Sequence, residues 1–424
     1  MSVATGERSA NRGEVRRPSG NWANLFEMSL TSEKLLQAGE LVRAAGIDVW
    51  LTFIRETAGG SDPVLPLILD GGLTWQSALV VDRSGRRVAI VGNYDADPLR
   101  ASGDWDEVVP YVQSIREPFL EVLERSCGPN PRIAVNFSES DVKADGLTHG
   151  MYLVLLRHLV GTRFEDSLES AEGLVRRLRG VKTPTELVRI RAAIAAGDLI
   201  FAEVPTFARV GVSEREVYDQ IQRRMRERGL DFAWDESGDP IVNSGPHSMI
   251  GHGIPSTGIR LEEGHIFHID LGVTLEGYSS DIQRCWFVGS EPPADALDGL
   301  TAVNAAISAG AEALRPGIAG WRVDEAARTA LVERGYPEFL HAFGHQVGRV
   351  AHDGGTLLGP RWERYGNTPE GEIVPGEVYT LELGVDVPGR GYLGIEEMAV
   401  VTDTGCEFLS VRQLEMPVLS EERR

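Results

Sequence analysis

Apolar residues recur at helical spacing over Glu33–Ala45, at Leu35, Leu36, Ala38, Leu41 and Val42. They lead directly into the apolar run Ile47–Ile54, which reads as a buried strand. Ser77–Val81, Arg87–Val91 and Arg132–Val135 are further short β-rich runs with helical stretches between them. Strands alternating with helices predict an α/β layer over the first part of the chain. A different rhythm starts at Lys182-Thr-Pro-Thr-Glu. Thr183 caps, Pro184 suits the first helical position and Glu186 completes a capping box, so a long helix is predicted to about Ala208. Ser213-Glu-Arg-Glu216 opens a second helix to about Arg228, and helical runs return at Ala294–Leu314 and Arg322–Arg334. Glycine-punctuated, strand-rich stretches fill roughly 240–290 and 340–402. The order helices, strands, helices, strands predicts an α+β domain with a weak internal echo.

The 424 residues exceed one ordinary core. We divide them into a flexible tail over 1–25, an N-terminal α/β domain over 26–167 and a second domain over 168–424. A hydrophobic content of 42% and a charged content of 25% are those of a soluble globular protein. The net charge of −21 argues against nucleic acid or an anionic membrane as partner, since each needs a basic face. The polar, arginine-bearing first 20 residues lack the apolar core of a signal peptide. Three scattered cysteines (Cys127, Cys285, Cys406) form neither a disulfide framework nor a thiolate zinc motif. A cytoplasmic enzyme is expected.

Candidate chemistry lies in the two strand-rich stretches. Asp270 and Asp281 flank a turn around Thr274–Gly277, and the reading places them directly opposite each other on one face of a hairpin. Their neighbours Ile266, Ile269, Leu271, Ile282 and Trp286 are apolar, so a proton or a cation is needed between the two carboxylates. Glu382 and Glu396 flank a second turn whose midpoint, Gly389, bisects them. With His345 between the pairs, carboxylate oxygens and one imidazole suit Mn, Co, Fe or Zn. Five such ligands suit two ions about 3.5–4 Å apart. The match of Gly389-Arg-Gly-Tyr-Leu-Gly394 to GxGxxG is a hairpin turn, because no βαβ unit surrounds it.

Asp270…Gly277-Tyr-Ser-Ser-Asp281, Gly344-His345-Gln-Val-Gly348 with His352, Thr380-Leu-Glu382 and Ile395-Glu396 resemble the pita-bread metallopeptidases, a family that includes aminopeptidase P, prolidase and creatinase. The resemblance covers roughly Lys182 to Thr402. It implies a pita-bread catalytic domain behind a creatinase-like N-terminal domain, a homodimer, and hydrolysis of an Xaa–Pro bond in a dipeptide or short peptide. Asp270 would serve one metal, His345 and Glu382 the other, and Asp281 and Glu396 would bridge, with manganese first among the metals. A metal-bridging hydroxide would attack, and Glu382 would relay its proton. His252 and His352 match the family's substrate and carbonyl histidines, and His341 a prolyl-site histidine. His247, His265 and His268 read as residues that pack or hydrogen-bond, and His268 shares a strand face with Asp270.

The sequence departs from the family in three places. Leu383 stands where the family commonly has proline, Gly394 where it commonly has arginine, and Gly354 or Gly355 at another common proline. The lost arginine touches substrate preference first. It leaves room for a metal-dependent lyase or a hydrolase of a small non-peptide substrate. A non-catalytic binding protein on the same fold would show eroded ligands, and all five are present.

Overall fold

A computed structural model describes residues 28–60, 62–251 and 253–420. The N-terminal tail, and with it the expectation of flexibility, lies outside the described residues. So does His252.

The first layer is a six-stranded sheet in the order Glu107–Tyr111, Arg87–Gly92, Ser77–Asp82, Val49–Ile54, Ile133–Val135, Leu168–Ser170. Val49–Ile54 runs antiparallel to Ser77–Asp82 and parallel to Ile133–Val135. It is buried along its whole length, as a strand covered on both faces must be. Alternation divides its side chains between two cores. Trp50 and Ile54 join one with the helices Leu30–Ala44 and Glu172–Gly180, while Val49, Leu51 and Phe53 join another with Arg116–Ser126 and His149–Leu159. Two strands were not anticipated. Glu107–Tyr111 is an edge strand interrupted by Pro110, and Leu168–Ser170 is a half-exposed edge of three residues, so neither carries an apolar run.

The second half contains the expected helices. Both capping boxes are formed, Thr183 with Glu186 and Ser213 with Glu216, opening Pro184–Glu203 and Glu214–Glu227. The first helix stops five residues before the predicted Ala208. Pro205 cannot donate to the α ladder, and Val204–Thr206 tightens into a 3-10 turn. Ala294–Ala313 and Gly320–Val332 form the other pair. Each helix pair backs a curved layer of strands. Phe267, Ile269, Ile282, Trp286 and Met398 fill the core under the first pair, and Tyr379, Leu381, Leu383 and Ile395 the core under the second. The strands Ile266–Leu271, Ile282–Val288 and Gly391–Val401 lie against one another between these cores. Among the described residues no helix is long and apolar enough to cross a membrane.

Buried charge fastens the two halves. Lys34, fully buried on the first helix, reaches Glu186 at 2.9 Å, and the other Glu186 oxygen accepts a hydrogen bond from Tyr278 at 2.9 Å. Burial pulls the Lys34 ammonium down while Glu186 pulls it up. Removing one partner of such a pair strands the other in a dry interior. Glu186→Ala is therefore expected to lower stability by about 3–5 kcal/mol in urea unfolding, and Lys34→Met combined with it to recover part of that loss. Equal losses in the single and double variants would contradict the coupling.

Candidate metal centre

The strand Val378–Val387 pairs with Gly391–Val401 so that Glu382 faces Glu396 directly, as the midpoint at Gly389 predicts. Alternation turns both carboxylates away from the core that holds Leu381, Leu383 and Ile395. The first hairpin differs from the expectation. Asp270 lies opposite Gln283, and Leu271 opposite Ile282. Asp281 is thus diagonal to Asp270, two residues along the same face. The turn is centred on Glu276–Gly277, both in the left-handed region, one residue later than the sequence suggested. Val273–Leu275 and Tyr278–Ser279 then pair as a separate small ladder, leaving Gly272 and Asp281 at the break between ladders.

His345 enters from the loop beyond Gly320–Val332. A Cβ on Gly344 would lie 2.0 Å from the Thr380 carbonyl oxygen, so only glycine lets this segment approach the strand. The approach is then locked. Thr380 N–H donates to the His345 carbonyl at 2.9 Å, and His345 N–H donates to Thr380 Oγ1 at 3.1 Å.

Asp281, His345 and Glu396 each bring a ligand atom within 4.8 Å of the other two. His345 Nε2 lies 3.4 Å from Glu382 Oε1 and 3.6 Å from Asp281 Oδ2. Burial is the first cause that drives Asp270, Asp281 and Glu396 far above the usual carboxylate range. Mutual repulsion comes next: Glu382 acts on Asp270, Asp270 and Glu382 on Asp281, and Asp281 and Glu382 on Glu396. Asp239, itself raised by burial, adds to the field on Asp281. Asp270 Oδ1 and both Glu396 oxygens are buried without a hydrogen-bond donor. Polar atoms in that state need a partner, and a set of carboxylates with one imidazole fits divalent cations.

The histidines divide. His352 lies with its ring 4.1 Å from that of His345, edge to face, and its side chain is exposed. The next residue, Asp353, is buried between Arg179 and Lys182 and held by both, which anchors the loop. His341 is exposed, with its ring 5.6 Å from Phe339. His268 is buried and bonds to Gln283 at 3.0 Å. Gln283 was not singled out from the sequence. Its amide donates to Glu382 Oε2 at 2.9 Å, and only the true hairpin register, which sets it opposite Asp270, would have revealed it.

Residues 188–403, half of the chain, match the model of metallopeptidase family M24. The chain belongs to that family. A probable dipeptidase PepE from Mycobacterium tuberculosis strain H37Rv is 36% identical over 237 residues, 55% of this chain and 60% of the relative's length. The chain thus matches less than two thirds of that M24 relative. The crystal structure of dipeptidase PepE from Mycobacterium ulcerans superposes with a TM-score of 0.69 at 27% identity, covering 92% of this chain and 98% of that one. An Xaa-Pro dipeptidase from Bacillus anthracis gives 0.69 at 25%, covering 92% and 100%. These likenesses include the N-terminal sheet as well as the M24 part, and the pita-bread architecture is confirmed.

The raised carboxylates set the pH response. Each binds its proton more tightly folded than unfolded. The stability this contributes is complete below the unfolded value of about 4 and is lost as pH rises through the higher folded values. Chelator-treated protein should melt at a lower temperature at about pH 8 than at about pH 5. Added Mn should raise the melting temperature more at the higher pH, where it competes with fewer protons. A manganese effect independent of pH in thermal-shift measurements would contradict this account.

Proposed function

We propose that this M24 protein hydrolyses the Xaa–Pro bond of dipeptides or short peptides with two divalent metal ions, manganese first and Co, Zn or Fe as alternatives. The convergence of Asp281, His345 and Glu396, with Asp270 and Glu382 beside them and three buried oxygens lacking donors, carries the reading. The dipeptidase names of the PepE relatives and the Xaa-Pro dipeptidase name of the Bacillus anthracis neighbour support it. Asp270, Asp281, His345, Glu382 and Glu396 are assigned to hold the metals. Such a pair of ions supplies Lewis acidity, lowering the pKa of water toward neutrality and polarising a carbonyl.

The chain's own groups do the rest. Glu382, half-buried with Oε1 3.4 Å from His345 Nε2, takes a proton from the attacking water and passes it to the leaving nitrogen. His352, on its anchored loop, donates to the oxygen of the scissile carbonyl as charge develops there. His252 and His341 are assigned to the substrate, and a proline ring is selected by the shape of the pocket. An imide bond before proline has no N–H, so recognition cannot rest on a backbone donor at that point. A homodimer in the cytoplasm is the form proposed.

Asp281→Ala should lose bound metal by elemental analysis and lower kcat/KM at least ~1,000-fold, on the scale of losing a major transition-state stabiliser. An active, metal-free Asp281→Ala protein would defeat the scheme. On the manganese-loaded enzyme, a series from Xaa–Pro dipeptides to longer Xaa–Pro peptides should show cleavage before proline. Turnover only of small non-peptide substrates would favour the lyase or non-peptide hydrolase instead.

A further inference from the structure

Gly394 lies on the strand that carries Glu396, paired with Gly384. A Cβ on Gly394 would meet Gln283 Oε1 at 2.6 Å, Tyr392 Cε1 at 2.6 Å and His268 Nε2 at 2.9 Å. Three side chains therefore converge on the space that a side chain at 394 would occupy. Gly384 repeats the pattern, with Tyr392 Oη 2.3 Å from where its Cβ would stand. Paired glycines open a slot on the hairpin, and Tyr392, Gln283 and His268 fill it. His268 and Tyr392 meet edge to face with ring centroids 5.2 Å apart.

The polar groups in the slot form a directed chain. Glu382 is a carboxylate, so the amide 2.9 Å from its Oε2 must present N–H, which turns Gln283 Oε1 toward His268. His268 Nε2, 3.0 Å from that oxygen, must then carry a hydrogen. The other ring nitrogen, Nδ1, lies 3.2 Å from Asn243 Oδ1, and a neutral imidazole with its hydrogen on Nε2 has none to give that oxygen. Asn243 Nδ2 in turn donates to Ser248 Oγ at 3.0 Å and to the Met249 carbonyl at 2.8 Å. Met249 belongs to a loop lining a cavity of about 570 Å³ with His247, Ile254 and Ser256. The donor-to-acceptor order therefore runs from His268 through Gln283 to Glu382, and a buried amide with both ends bonded has one orientation.

From this juxtaposition we infer that Gln283 is a positioning residue for Glu382, that His268 bonds the far end of its amide, and that glycine at 394 is required to admit the pair. The inference rests on the dinuclear-metal reading above. The donated hydrogen bond holds Glu382 in one rotamer and leaves Oε1 toward His345, at 3.4 Å. A carboxylate held in this way loses less freedom when it binds a cation or moves a proton. The slot also accounts for the departure at 394: a long cationic side chain there would collide with Gln283 and His268.

The test uses the full chain and Mn as the probe. Gln283→Met keeps the volume and removes the donor. It should weaken Mn binding about 10- to 100-fold in calorimetric titration, the usual range for losing a group that orients a ligand, while thermal melting of the metal-free protein stays close to wild type. On an Xaa–Pro dipeptide the loss should fall in kcat more than in KM. Gly394→Ala, by pushing Gln283 aside, should reproduce both effects, and the double variant should be no worse than either single one. Gln283→Met suffices on its own should Gly394→Ala not fold. Wild-type manganese affinity and kcat in Gln283→Met, or additive losses in the double variant, would overturn the inference while leaving the metal reading intact. Wild-type protein that takes up no Mn, Co, Zn or Fe would overturn the metal reading and this inference together.

Discussion

Four acidic side chains crowded together, three of them beside one imidazole, set the terms for the second half of this molecule. Carboxylates repel, and the repulsion grows as the dielectric falls. Asp281 and Glu396 are at most 5% exposed and face Asp270 and Glu382, so the arrangement is stable only when protons or cations offset it. A surrounding fold must be rigid enough to hold these groups against that pressure. The two hairpins supply it: each carries one acidic pair on its inner face and buries its outer face under a pair of helices. The sheet bears the load, and the helices keep it from opening.

Glycine appears where the packing around this centre is tightest. Gly344 brings His345 against Thr380, and Gly272, whose Cβ would lie 2.2 Å from the Trp234 ring, lets the broken ladder turn Asp281 inward. Gly384 and Gly394 do the reverse, withholding a side chain so that an amide reaches Glu382 with an imidazole and a phenol packed behind it. The site is thus shaped as much by side chains left out as by those supplied.

Much of this was legible in the sequence because it rests on local rules. The capping boxes at Thr183 and Ser213 and the facing of Glu382 and Glu396 follow from spacing alone, since a hairpin without a bulge pairs residues about its midpoint. The Asp270–Asp281 hairpin resisted the same argument. Glu276 and Gly277 take the left-handed turn, shifting the register by two, and nothing in the spacing of the two aspartates reports that shift. Gln283 was invisible for the same reason: its role depends on a partner 99 residues away. The edge strands Glu107–Tyr111 and Leu168–Ser170 escaped because edges need little apolar surface.

The join between the halves reaches closer to the chemistry than its position suggests. Arg179 touches the Pro63 carbonyl on one side and Asp353 on the other, while Asp141 of the first half accepts the Gly355 N–H at 2.9 Å. The segment bearing His352 is thus gripped from outside its own core. An excised M24 half would keep the four carboxylates and the imidazole of the proposed metal centre yet lose the clasp on that histidine. The leading sheet therefore helps to hold the loop that bears His352, and a chain without it would need another way to tether that loop.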